Sequence, residues 1–170
     1  GLYWAWKNLN ADYIGLVHYR RYFSLKKRSK NKFDNVLSLN EVKEILKRFD
    51  VILPKKRRYF IENLYEHYEH TMYVEPLDIT GKIIEEQYPE YLEYFNKLHT
   101  RTSAHMFNMF IMKKEILDDY CKWLFDILFE LEKRVDSSKY DSFHSRFYGR
   151  ISELLLDVYL QKNAITYKEV

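Results

Sequence analysis

The sequence predicts an α/β fold: one domain over residues 1–170, with short strands flanked by several helices and a helix-rich carboxyl-terminal half. Three observations predict it. The apolar runs Tyr13–Val17 and Val51–Leu53 are too short for helices and rich in β-formers. Between them lies a capped amphipathic stretch, Ser38 to Phe49, giving the strand–helix–strand order of a βαβ unit. Beyond residue 112, apolar positions recur at helical spacing over two long segments.

At 170 residues, 46% hydrophobic and 31% charged, the chain can bury one sizeable core, and four Gly and three Pro exclude a long disordered linker. A net charge of +3 is far from the footprint of a dedicated nucleic-acid binder. Interleaved basic and aromatic residues suggest an RNA-binding reading, but no recognised RNA motif supports it. The aromatic share is 18%, with 16 Tyr, which points to a core of amphipathic rings and a stacking surface for sugars or bases. Cys121 is the single cysteine. It excludes an internal disulfide, fits a reducing compartment, and is expected to pack as a small hydrophobe. No stretch resembles a signal peptide or a membrane span. The abrupt apolar start, Leu2-Tyr3-Trp4-Ala5-Trp6, reads as a fragment whose natural sequence continues upstream.

Taken in order, Gly1–Asn10 is the end of a helix whose rings Tyr3, Trp4 and Trp6 need a partner surface. The Tyr13–Val17 strand follows and runs into His18, Tyr19, Arg20, Arg21, Tyr22 and Phe23. Ligands of open α/β sheets bind beyond the carboxyl ends of strands, and guanidinium groups pair bidentately with phosphate oxygens. His18, Tyr19, Arg20 and Arg21 are therefore candidate contacts for an anion such as a diphosphate. The plainer reading puts the aromatics in the core and the arginines on a solvated edge. Lys26, Lys27, Arg28, Lys30 and Lys32 form a basic run. It reads as a solvated loop, or as a contact for a phosphate-bearing donor or an anionic membrane face.

Ser38 and Glu41 form a capping box before a helix carrying Val42, Ile45, Leu46 and Phe49. Pro54 closes the Val51–Leu53 strand, and Lys55, Lys56, Arg57 and Arg58 follow. Two basic clusters at two strand ends can converge on one anionic pocket. In the polar, aromatic stretch Asn63–Met72, His67 and His70 share one helix side. With no third ligand at suitable spacing, zinc is disfavoured and His70 is taken as a surface or substrate contact. Glu75–His99 is helical with a break: Pro89 opens its second piece, and Gly81 weakens its first. Ala104–Met112 is a third strand whose central Asn108 must find hydrogen-bond partners, either backbone or a sugar hydroxyl. A long helix from about Glu115 to Arg134, a polar loop, a final helix from about Arg146 to Gln161 and a terminal strand at Ile165–Tyr167 complete the chain. There is no P-loop, GxGxxG, GxSxG, HExxH, paired CxxC or Asp-x-Asp, so chemistry rests on scattered residues.

Three blocks carry a family resemblance: Asp12-Tyr-Ile-Gly-Leu-Val-His-Tyr-Arg-Arg-Tyr-Phe23; Asn108-Met-Phe-Ile-Met-Lys113 running on to Tyr120-Cys121-Lys-Trp123-Leu-Phe125; and Arg146-Phe-Tyr-Gly149-Arg-Ile-Ser-Glu153-Leu-Leu. In order and spacing they resemble the bacterial capsular and exopolysaccharide biosynthesis glycosyltransferases of a family long labelled as a domain of unknown function. The resemblance implies a GT-A-like mixed sheet, here without its first strand. It also implies an enzyme that moves a sugar from a nucleotide-sugar donor to a lipid-linked oligosaccharide. Such a protein is cytoplasmic, with peripheral association at the inner membrane face and no nucleic-acid partner.

GT-A enzymes commonly hold a divalent cation such as Mn or Mg on an Asp-x-Asp, which offsets the departing diphosphate. This chain lacks the motif, so the cofactor stays open, no metal ligand is assigned, and His18, Arg20 and Arg21 are placed to supply the positive charge. An inverting transfer also needs a base for the acceptor hydroxyl. Glu153, which follows Gly149 and Arg150 and precedes an apolar helix face, is the first candidate. Asp78, beyond His70, is the second, and Arg150 joins the binding residues. The plain alternative for Glu153 is a helix acid favoured by the dipole. The alternative for the whole chain is a non-catalytic glycan- or anion-binding module, which keeps the aromatic and basic surface and needs no base.

Overall fold

A computed structural model describes residues 1–25 and 29–170, so Lys26, Lys27 and Arg28 of the basic run lie outside the described residues. The strands are β1 (Tyr13–Leu16), β2 (Val51–Leu53), β3 (Arg57–Arg58), β4 (Ser103–Ala104), β5 (Phe110–Lys113) and β6 (Tyr167–Glu169). The helices are α1 (Leu2–Asn8), α2 (Leu39–Leu46), α3 (Leu64–Thr71), α4 (Glu75–Gln87), α5 (Pro89–Asn96), α6 (Lys114–Arg134) and α7 (Phe147–Lys162).

The central sheet is mixed, in the order β1-β5-β2-β6, and β3 and β4 form a separate two-stranded ribbon. β5 is antiparallel to both β1 and β2, whereas β6 is parallel to β2. This corrects the simple βαβ unit: β1 and β2 run the same way, but β5 separates them. The reason is burial. β5 packs Phe110 and Met112 into one core and Ile111 against the other, so it needs cover on both faces. β1 buries Ile14 but exposes Tyr13 and Gly15, which suits an edge. One consequence governs the site. The carboxyl ends of β1, β2 and β6 and the amino end of β5 all lie along one edge of the sheet.

Most of the core lies on the face covered by α4 to α7. The opposite face is closed by Leu46 of α2, with Phe23, Ile52 and Met109. The capping box forms as the spacing requires: Ser38 accepts from the Glu41 amide, and Glu41 accepts from that of Ser38. α4 runs unbroken through Gly81, where a Cβ would stand 2.9 Å from the Phe95 ring of α5. That glycine allows close helix packing and does not break the helix. The rings of α1 find their partner on α6, with Tyr3 edge-on to Phe125 and Trp6 stacked on it.

Two strand boundaries differ from expectation. The stretch 104–112 is not one strand. Phe107 and Asn108 take φ of 77° and 50°, in the left-handed region, and break the ladder between β4 and β5. The terminal strand starts at Tyr167 because Thr166 is engaged elsewhere: its hydroxyl and amide donate to the Asp50 carboxylate, and its carbonyl accepts from the Asp50 amide.

Candidate functional site

The His18–Phe23 block leaves β1 through a tight turn, in which the Arg21 amide donates to the His18 carbonyl at 2.9 Å. The turn splits the block. Tyr19 sits at its tip, 76% exposed, with the Arg20 guanidinium 4.9 Å over its ring. His18 and Arg21 fold back toward the sheet edge. The Arg21 guanidinium lies 4.0 Å over the Phe107 ring, and the His18 ring centre is 5.8 Å from it. The left-handed backbone at Phe107 and Asn108 is what brings that ring to the edge. Asn108, expected in a buried strand, is half-buried outside one, and its side-chain amide donates to the Gly149 carbonyl at 3.0 Å. It ties the edge to the first turn of α7.

α7 is apolar on nearly every side and buried from Ile151 to Leu160, save the half-buried Ser152, and two carboxylates interrupt it. Glu153 is one. Its Oε2 is buried and accepts no hydrogen bond; the nearest cation, Arg150, stands 3.7 Å away. Burial pushes its carboxyl above the ordinary value, opposed by Arg150, the Phe107 amide and Arg57. Asp157, one turn on, is the other. Its Oδ2 accepts from the His105 amide at 3.0 Å, and its Oδ1 lies 2.5 Å from the His105 Nδ1. The far ring nitrogen meets Glu169 of β6 at 3.0 Å. Burial pushes the Asp157 carboxyl up, but these bonds from His105 outweigh it and hold the carboxyl below its ordinary value.

Beside Glu153 opens a cleft of about 250 Å³, lined by Arg57, Tyr59, His67, Tyr68, Arg150 and Leu154 among others. The Tyr68 hydroxyl is buried and without a partner. Two buried polar atoms without partners thus stand beside one cleft that carries two guanidinium groups. At its rim Glu62 bridges His67 and His70, at 3.0 and 2.9 Å. The side-chain bond from His70, then that from His67, holds the Glu62 carboxyl below its ordinary value. Among the described residues, no three His, Cys, Asp or Glu side chains gather in a way that would hold a metal ion.

The structure thus groups Glu153, Arg150, Asn108, His18 and Arg21 around Phe107. It turns Tyr19 and Arg20 outward and engages His70 at the cleft rim. Asp78 lies elsewhere: it accepts from the Tyr65 hydroxyl at 2.8 Å, in the packing of α3 on α4. Sequence reasoning placed Arg57 only in a basic cluster and His67 only beside His70 on one helix side, and it assigned no role to Tyr59, Tyr68, His105 or Asp157. A signal for Asp157 was present, since an acid set in Leu154-Leu-Leu-Asp-Val-Tyr-Leu160 must be buried and therefore partnered.

No curated protein matches the chain. Among solved structures it is similar to the apo structure of WbbM, a bifunctional glycosyltransferase, with a TM-score of 0.88 and 29% identity over 99% of this chain. The match covers 34% of WbbM, so the chain spans about a third of that protein's length. The profile of the family described as "Domain of unknown function (DUF4422)" matches residues 1–164, and the chain belongs to that family.

Proposed function

We propose that the chain is a glycosyltransferase domain with a GT-A-like arrangement. It moves a sugar from a nucleotide-sugar donor to a growing, lipid-linked capsular or exopolysaccharide oligosaccharide. The observation that carries this reading is Glu153: a buried carboxylate with raised proton affinity and one oxygen free, at the ligand-binding edge of an α/β sheet, beside a cleft. Similarity to a glycosyltransferase supports the same reading.

In this proposal the Glu153 Oε2 accepts the proton of the acceptor hydroxyl as that oxygen attacks the sugar. A carboxyl held above its ordinary value is a stronger base than an exposed one. Arg150 steadies the resulting charge distribution at 3.7 Å without neutralising the base through a direct hydrogen bond. His18 and Arg21 face the departing diphosphate, and Arg21 is held over the Phe107 ring at 4.0 Å, which leaves its N–H donors without a carboxylate partner among the described residues. The described residues gather no metal-binding set, so the proposal assigns offset of the diphosphate charge to the Arg21 guanidinium, with the His18 ring as a hydrogen-bonding neighbour.

The test is a transfer assay with a panel of nucleotide sugars and a lipid-linked oligosaccharide acceptor, run beside a direct binding titration. Arg21→Ala is expected to weaken donor binding about 10- to 100-fold, the worth of a charge-assisted hydrogen bond. Absence of binding and turnover with every nucleotide sugar sinks the reading. Glycan binding without transfer, unaffected by Glu153→Gln, establishes the binding-module alternative instead.

A further inference from the structure

Phe60 and Ile61 are the two most exposed large hydrophobic side chains among the described residues, at 95% and 96%. They occupy consecutive bends between β3 and α3, at the tip of the connection that leaves the carboxyl end of β2. Scattered exposed hydrophobics need no explanation, but these two are adjacent and fully presented. Lys55, Lys56, Arg57 and Arg58 precede them with only Tyr59 between, and none of the four makes an ion pair with a described residue. The carboxylate next in sequence, Glu62, is turned back to His67 and His70. The tip is therefore apolar and its flank cationic: Lys56 and Arg57 turn toward the fold, over the rings of Tyr167 and Tyr59, which leaves Lys55 and Arg58 as the cations without a carboxylate partner among the described residues.

We infer that this loop is a membrane-docking device whose partner is the surface of an anionic lipid bilayer. Phe60 and Ile61 enter the boundary between headgroups and acyl chains, while Lys55 and Arg58 meet lipid phosphates. An aromatic and an aliphatic side chain beside a basic cluster is the pairing that such a surface selects, combining apolar burial with charge attraction. A soluble acidic protein would satisfy the cations and leave the two apolar side chains in water. No described helix is long and apolar enough to cross a membrane, so this mode of contact is superficial. Because Arg57 and Tyr59, three residues and one residue before the tip, line the cleft, docking sets the cleft mouth at the lipid surface. The inference deepens the lipid-linked acceptor of the proposed function and rests on that reading for its purpose, though not for its test.

The experiment is co-sedimentation of the 170-residue chain with vesicles of phosphatidylcholine alone and of phosphatidylcholine with phosphatidylglycerol, without any sugar donor. Binding is expected to the anionic vesicles and to weaken as salt rises. The double variant Phe60→Ser, Ile61→Ser is expected to lose at least about tenfold in vesicle affinity. Both side chains are solvated, so its thermal unfolding should match the parent. Phe60→Trp supplies a second readout, a blue shift of emission on adding anionic vesicles. Three results overturn the proposal: no vesicle binding by the parent, equal binding by the double variant, or a self-associated species in sedimentation velocity that the double variant disperses. Vesicle binding without sugar transfer removes the transferase reading alone. Transfer to a soluble acceptor without vesicle binding removes this one alone.

Discussion

Glu153 and Asp157 stand one turn apart on α7, both carboxylates in a helix that is otherwise buried and apolar, yet their surroundings drive them in opposite directions. Both lie against the segment that enters β5. At Asp157 that segment supplies the amide and the ring of His105, and the ring is backed by Glu169. At Glu153 it supplies the Phe107 amide, and Arg150 stays at 3.7 Å. Asp157 is held below its ordinary value and Glu153 above it. The lesson is that burial alone does not fix a role. A buried acid closed off by partners clamps structure, here α7, the edge segment and β6 together. A buried acid left one partner short has proton affinity to spare for a ligand. Two titratable groups pushed apart by their environments are a recurring sign of acid–base machinery, and Glu153 sits between Arg150 and Leu154, which line the cleft.

The sharpest way to break the comparison is to neutralise the under-satisfied member. Glu153→Gln keeps shape and the contact with Phe107 but cannot take a proton. Turnover in the transfer assay should fall about 10²- to 10⁴-fold. Stability should move the other way. Because the native carboxyl lies above its ordinary 4.5, ionising it at neutral pH costs the folded state more than the unfolded chain. Removing that cost should raise stability by roughly 1 kcal/mol, seen as about 2–4 °C in thermal unfolding. A variant that loses both turnover and stability would make Glu153 a structural acid like its neighbour.

The opposite result is expected at the clamp. His105→Ala leaves Asp157 buried without its side-chain partner, and such losses cost about 3–5 kcal/mol, or about 10 °C or more in thermal midpoint. The pH dependence should weaken as well. In the parent, the depressed Asp157 contributes stability that is fully present above its ordinary 3.8 and is lost as pH falls through the lower folded value. In His105→Ala the ring's contributions are gone, and burial is opposed only by the backbone amide of residue 105 and by Lys56, so the loss of stability on acidification should shrink. Denaturant unfolding measured across the acid range reads this directly. An unchanged acid limb in the variant would show that the clamp is not what holds β6.

Much of the scaffold was legible in the sequence, and for physical reasons. The Ser38–Glu41 cap, the Pro89 break and the long α6 depend on neighbours close in the chain, and local spacing exposes them. What stayed hidden depends on residues far apart. The insertion of β5 between β1 and β2 follows from two-sided burial that no single run displays. The left-handed pair Phe107–Asn108 sits inside an apolar stretch that reads as strand. His105 pairs with Asp157 across 52 positions and with Glu169 across 64, so neither partner is visible from the other. At the candidate site, Glu153, Arg150 and Arg21 stood out by residue type and by resemblance. The cleft did not: Tyr68 looks like one more core ring until its hydroxyl is found without a bond.

That hydroxyl gives the smallest effect and the finest test of the comparison. Tyr68 is almost fully buried, and burial pushes its hydroxyl well above its ordinary value, so it stays a neutral donor and acceptor. Removing a buried polar group that already lacks a partner takes no bond from the fold, and Tyr68→Phe should change stability by less than about 0.5 kcal/mol. If the cleft receives a sugar, that hydroxyl gains its partner only when the ligand is bound, and the variant should lose roughly tenfold in sugar affinity. A clamp residue would show the reverse pattern, a large change in unfolding and none in binding. Unchanged sugar affinity in Tyr68→Phe would mean that the missing bond is a packing defect, and Glu153 would then be the one ligand-seeking group on this side of α7.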